Sequence, residues 1–83
     1  MKLSGRQQRV LERMTQGWEL QDWVMDDPRL VKDGERCLLP RATVRSMRSA
    51  GWVEWGDRLT EYDILTMTEK GRNALRKAKE AQG

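Results

Sequence analysis

The chain has 83 residues, of which 37% are hydrophobic and 35% are charged, a composition that predicts one small domain over 1–83 with a thin core and a highly charged surface. No apolar run approaches the roughly 20 residues that a membrane span requires, and the apolar segment of a signal peptide is missing as well. We therefore expect a cytoplasmic protein with no membrane partner.

The side chains that most catalytic and metal sites need are scarce in this sequence. Histidine is absent and Cys37 is the only cysteine. These counts exclude a Ser-His-Asp triad, a Cys-His pair, a histidine metal site, a cysteine zinc cluster and an intrachain disulfide. Carboxylates remain, but so short a chain rarely builds a pocket of enzymatic size. We expect no enzyme, metal or cofactor, and we interpret Cys37 as a small buried hydrophobe.

Charge is distributed in alternating blocks, although the formal net charge is only +3. Segments 1–17, 41–50 and 69–83 each carry a net +3, and segments 18–40 and 51–68 each carry −3. The blocks coincide with the structural elements that the sequence predicts, so each element is expected to present a surface of one sign.

The first predicted helix covers residues 4–16. Ser4 and Gln7, three residues apart, have the spacing of a capping box, and Gly17 provides the stop. Its apolar face is formed by Val10, Leu11 and Met14.

Residues 18–39 predict an extended, hairpin-like segment. Apolar and polar residues alternate at its start, as in a half-buried strand, and turn signals follow at 26–28 and 32–35. A short amphipathic helix at 19–25 is the alternative that the same residues allow.

A second helix is predicted over 40–50, because Pro40 suits the first helical position and Gly51 suits the left-handed residue past the end. At about 100° per residue, Val44 and Met47 share one side. The opposite side is small, polar and basic. It carries Ala42, Arg45, Ser46 and Ser49, flanked by Arg41 and Arg48.

Residues 52–67 predict a β-hairpin whose loop opens at 56–58. Alternation predicts that Val53, Leu65 and Met67 face inward. At least one of Trp52 and Trp55 is expected to be exposed, where a tryptophan suits a protein contact.

The last helix is predicted over 69–80. Thr68 is its expected N-cap, and Leu75 and Ala78 form its apolar side. Gly71 is expected to weaken the first turn.

Three segments in this order resemble the winged helix-turn-helix DNA-binding family. RVLERM at 9–14 is similar to the family's first helix, and ATVRSMRSAGWV at 42–53 is similar to its recognition helix running into the wing. LTMTEKGR at 65–72 is similar to the second wing strand and the entry into the last helix. The resemblance implies an α+β fold: a single winged-helix domain with three helices and a small antiparallel sheet that includes a β-hairpin wing.

The resemblance also implies binding to double-stranded DNA by the helix at 40–50, as expected of a small transcriptional regulator of phage or prophage type. A helix fits the major groove, where arginine reads guanine or pairs with phosphate. The residues that would face base edges are Ala42, Arg45, Ser46 and Ser49, and those that would face phosphates are Arg41 and Arg48. Arg58 is the only basic residue of the wing and is a further candidate for contact with DNA. A homodimer through the last helix would match paired half-sites.

The alternative is a winged-helix adaptor that binds another protein, such as a host factor, and no DNA. The alternating charge blocks, the acidic wing and an exposed tryptophan support it. A charge map separates the two: arginines sharing an open face with Lys2, Arg6 or the basic tail favour DNA, whereas acids around the arginines favour the adaptor.

Overall fold

A computed structural model of the chain describes residues 3–59 and 61–82, which form three helices and one five-stranded antiparallel sheet. In chain order the elements are α1 (Gly5–Thr15), β1 (Glu19–Trp23), β2 (Arg29–Lys32), β3 (Glu35–Leu38), α2 (Arg41–Ser49), β4 (Val53–Arg58), β5 (Tyr62–Met67) and α3 (Glu69–Gln82). The strands lie in the order β3-β2-β1-β5-β4. Among these described elements, no helix has the length and apolar character needed to cross a membrane.

The sheet is larger than the small sheet and hairpin wing that the sequence predicted. β4 and β5 do form the expected hairpin, but β1 pairs with β5 on one side and with β2 on the other. These pairings join the hairpin to residues from the segment 18–39, so the hairpin is one part of a continuous sheet. Pairing between distant strands is a tertiary property that local sequence patterns do not reveal.

The extended interpretation of 18–39 is confirmed, and the alternative helix at 19–25 is wrong. Leu20 pairs with Leu30 of β2 and with Leu65 of β5, so β1 is a central strand with partners on both sides. Asp33 and Gly34 both have positive φ, as a two-residue turn between right-twisted strands requires.

Helix α1 begins as its sequence predicts. The Ser4 hydroxyl accepts a hydrogen bond from the Gln7 backbone N–H at 3.1 Å, and the Gln7 side chain accepts one from the Ser4 N–H at 2.9 Å. Gly17 has a φ of 97° just after the helix. The two ends that the sequence marks therefore agree with the observed helix.

The predicted loop at 56–58 belongs instead to strand β4. The β4–β5 register shifts between Trp55 and Arg58, which identifies an irregularity within the strand. A Cβ at Gly56 would lie 3.0 Å from the Ile64 carbonyl oxygen, so the chains approach closely there. The turn follows Arg58.

One core joins the inward row of the sheet to all three helices. Leu20, Leu30 and Leu65 lie side by side on three neighbouring strands and are buried. The other buried hydrophobic residues of this cluster are Val10, Leu11, Leu39, Val44, Met47, Trp52, Val53 and Leu75. The predicted inward positions of Val53 and Leu65 are confirmed, and Met67 and Cys37 pack against the core while only partly buried.

Gly71 has a different role from the weak first turn that the sequence suggested. A Cβ there would overlap the backbone carbonyl oxygen of Trp52, so only glycine lets α3 approach this closely. Thr68 caps α3 as predicted, because its hydroxyl accepts from the Gly71 N–H at 3.0 Å. The same hydroxyl donates to the Gly51 carbonyl, which ties the start of α3 to the end of α2.

Candidate nucleic-acid interface

Helix α2 is amphipathic and presents its polar side to solvent. Val44 and Met47 are buried against the core, as their spacing predicted. The N-terminal cap is Pro40, one position before the helix, and Gly51 follows the helix with a φ of 80°. Four of the predicted interface residues on α2 are exposed, namely Arg41, Ala42, Arg45 and Ser49.

Ser46 does not share that exposed side, which corrects the position assigned to it from the sequence. Its hydroxyl accepts a hydrogen bond from the Gln7 side-chain amide at 2.8 Å and donates one to the Thr43 carbonyl at 2.8 Å. Ser46 is therefore half-buried at the contact between α1 and α2. The candidate base-reading side of α2 is reduced to Ala42, Arg45 and Ser49.

Arg41 contacts both strand β1 and the segment that follows it. One guanidinium nitrogen lies 3.6 Å from the Asp22 carboxylate, and another donates to the Asp26 carbonyl at 2.6 Å. The side chain keeps 44% of its surface exposed. Arg41 is thus held in position and remains accessible to a ligand.

Arg48 shares the same carboxylate. Its guanidinium lies 3.7 Å from the second oxygen of Asp22, whose side chain is only 15% exposed. The guanidinium also lies 4.7 Å from the centre of the Trp55 ring. A single aspartate therefore orients two arginines that are seven residues apart on α2.

Arg58 brings the β4–β5 hairpin into this surface. It lies 3.5 Å from Asp63 and 5.3 Å from the centre of the Trp55 ring, so one tryptophan contacts arginines of both α2 and the hairpin. Asp22 and Asp63 are directly opposite each other on β1 and β5. Two facing carboxylates would repel each other without the arginines that cover them.

We call this surface the arginine patch, and it comprises Arg41, Arg45, Arg48, Arg58 and Trp55 over the carboxylates of Asp22 and Asp63. Its four arginines and two aspartates leave two positive charges. Arg45 is exposed and, within residues 3–59 and 61–82, forms no ion pair.

The sequence missed the two carboxylates and the tryptophan that organise the patch. Asp22 lies two residues after the buried Leu20, so strand alternation places it on the helix-facing side of the sheet. The same residues also allowed a helix at 19–25, and only the strand puts Asp22 and Leu20 on one face. Trp55 confirms that one tryptophan of the hairpin is exposed, at 40%.

The charges around the arginines of α2 support both the DNA-binding function and the protein-binding adaptor in part. Asp22 and Asp63 lie beneath the arginines and are each only 15% exposed, whereas Asp26, whose carbonyl accepts from Arg41, has a side chain that is 70% exposed. Lys2 lies outside the described residues. Arg6 lines a separate groove between α1 and β3.

A metal site is not apparent in the described part of the chain, which contains no group of three Asp, Glu or Cys side chains that could hold a metal ion.

Comparison with known proteins does not assign this chain to a family. It matches no protein-family model, and neither a curated protein nor a solved structure shows significant similarity to it. The interpretation of the arginine patch therefore depends on its own geometry.

Proposed function

We propose that this chain binds double-stranded DNA through the arginine patch, as a small transcriptional regulator with α2 in the major groove. The observation that carries the proposal is the arrangement of Arg41, Arg45 and Arg48 along the exposed side of α2, continued by Arg58. An α-helix fits the major groove, and guanidinium groups bind both phosphates and guanine edges. The hairpin that directly follows α2 supports a winged-helix assignment of the fold.

The contacts within the patch support a division of labour between its arginines. Arg41 and Arg48 are held by Asp22, so they lose little side-chain freedom when they meet a phosphate. Arg45 has no such support and lies between them on the helix, where its reach suits a base edge. Small neighbours, Ala42 and Ser49, let the helix approach the groove closely.

The hairpin contributes to the proposed interface despite its acidic sequence. Asp63 is paired with Arg58, and Trp55 links Arg58 to Arg48. The Arg58 guanidinium therefore lies beside α2, where it would meet the DNA backbone next to the groove.

Selection of bound sequences from a random duplex library, followed by affinity measurements, tests this division. Arg45→Ala should cost about 1–3 kcal/mol at the selected site and relax the preference at one base position. Arg41→Ala should instead weaken binding to all sequences and lower the salt slope by about one. Arg76→Ala on α3 is the control. Unchanged affinity of the Arg45 variant would remove that residue from the base-reading role.

Dimerisation through α3 belongs to the same proposal, because paired half-sites require two copies of α2. A groove of about 980 Å³ runs along α3 and is lined in part by Ala74, Ala78 and Ala81. Sedimentation with and without duplex DNA should show a dimer. A monomer in both conditions at high micromolar concentration would contradict it.

The second candidate is the protein-binding adaptor. Its support is the partial neutralisation of the patch by Asp22 and Asp63, together with the exposed ring of Trp55, a residue type common at protein interfaces. Absence of duplex binding at low salt by the folded protein would favour this candidate over DNA binding.

A further inference from the structure

A second arginine-bearing surface lies between α1 and the edge strand β3. Three arginines of α1 occur at spacings of three and four residues and border a groove of about 330 Å³. The floor and far side of the groove are apolar. The residues that matter here are Arg6, Arg9, Arg13, Cys37 and Pro40, and we call this surface the α1 groove.

The arginines of the α1 groove are not neutralised by acidic residues within residues 3–59 and 61–82. No carboxylate lines the groove, and none of its three arginines forms an ion pair in the described part of the chain. Arg6 and Arg9 are exposed, and Arg13 lies 5.4 Å from the centre of the Trp18 ring. The groove is therefore a concentrated positive charge open to a ligand.

The apolar part of the groove decides which ligand suits it. On the far side of the groove Cys37 is half-buried and Pro40 is exposed, and neither gains anything from a phosphate. A ligand that carries carboxylates and apolar side chains together would satisfy both the arginines and the apolar wall at Cys37 and Pro40. β3 is also an edge of the sheet, so an extended segment lying there could pair with its backbone.

We propose that the α1 groove binds an acidic, partly apolar segment of a partner protein. The carboxylates of that segment contact Arg6, Arg9 and Arg13, and its apolar side chains cover Cys37 and Pro40. The site is separate from the arginine patch, so it does not depend on DNA binding. A regulator built this way would hold a protein on one surface and leave α2 free.

A short synthetic peptide rich in Glu and Leu, labelled with fluorescein, is the probe for this site. Two readouts apply: fluorescence anisotropy, and the rate at which iodoacetamide alkylates Cys37, the only cysteine of the chain. The peptide should bind, and it should slow alkylation several-fold by covering the groove. Peptides that replace Glu with Lys, or Leu with Ser, should bind at least about tenfold more weakly because charge or apolar contact is lost.

A matched pair of double variants assigns the binding to the groove. Arg6→Glu with Arg9→Glu should weaken the peptide about tenfold, because two attractive contacts become repulsive. Arg76→Glu with Lys79→Glu makes the same change of net charge at exposed positions of α3 and should leave binding unchanged. Circular dichroism checks that both variants are folded.

Three outcomes would overturn the proposal. Equal weakening by the two double variants would show that net charge alone attracts the peptide. Equal binding of the Lys-containing or Ser-containing peptide would remove the required chemistry. Protection of Cys37 by duplex DNA and by no peptide would make the groove a nucleic-acid surface instead.

Discussion

The arginines of α1 and those of α2 both come from segments with a net charge of +3, but the fold surrounds them differently. In the patch, Asp22 and Asp63 of the sheet lie beneath three of the four arginines. In the α1 groove, the residues around the arginines are apolar. The net charge of a sequence segment therefore does not determine the charge of the surface that it forms, because residues of neighbouring strands contribute to that surface.

The difference also concerns how firmly each arginine is held. Arg41 and Arg48 share one carboxylate, whereas Arg6 and Arg9 are exposed without an ion pair in the described part of the chain. Ordering a free arginine on binding costs up to about 2 kcal/mol of side-chain entropy. A preorganised surface suits a rigid duplex, and a surface with free side chains suits a peptide that adapts with it.

The largest expected effect comes from a substitution at the junction of α2 and α3, which holds α2 and its arginines in place. Gly71→Ala should lower the free energy of unfolding by about 3 kcal/mol, because the new Cβ overlaps the Trp52 carbonyl and backbone must move. Gly5→Ala, at a helical glycine with open space around it, is the control. Urea unfolding measures both. A Gly71 variant as stable as the Gly5 variant would contradict the close approach.

Removing the shared carboxylate makes the patch resemble the α1 groove. Asp22→Asn should destabilise the fold by about 1 kcal/mol, since two partly exposed ion pairs are lost. The same change should strengthen binding to random duplex DNA at low salt, because one negative charge leaves the interface. Asp57→Asn, at an exposed position of β4, makes the same change of charge away from those two pairs. Weaker DNA binding by the Asp22 variant alone would indicate that orientation outweighs charge.

The smallest expected effect comes from removing the ring of Trp55, which contacts two arginines of the patch. This change leaves every charge in place, so it tests how firmly those arginines are held. Trp55→Leu should lower the free energy of unfolding by about 0.5 kcal/mol, because the ring contacts of Arg48 and Arg58 are lost at an exposed site. Thermal unfolding detects this. An unchanged midpoint would mean that the ring does not hold the arginines in solution.

Local signals in the sequence predict much of this fold. The capping box at Ser4 and Gln7, the turn at Asp33-Gly34 and the buried spacing of Val44 and Met47 each depend on neighbouring residues, and each is observed. Such features are encoded by hydrogen bonds and dihedral preferences within a few positions.

Features that depend on distant residues were not predictable in the same way. The five-stranded sheet requires β1 to pair with β5, far along the chain, and Ser46 turns inward because it meets Gln7 of α1. Glycine is required at position 71 only because the Trp52 carbonyl lies so close to it in the fold. Each case is set by tertiary contact, and local propensity yields to it.

The most direct test of the account is a fluorescence-anisotropy titration of labelled random duplex DNA at two salt concentrations with three proteins. These are the unaltered chain, a variant with Arg41, Arg45 and Arg48 changed to Ala, and a variant with Arg6, Arg9 and Arg13 changed to Ala. Both variants lose the same charge. We predict binding that weakens steeply with salt, and a salt slope reduced by about two units, one each for Arg41 and Arg48, only in the α2 variant. No binding at low salt, or an equal loss in the two variants, would contradict DNA recognition by the arginine patch.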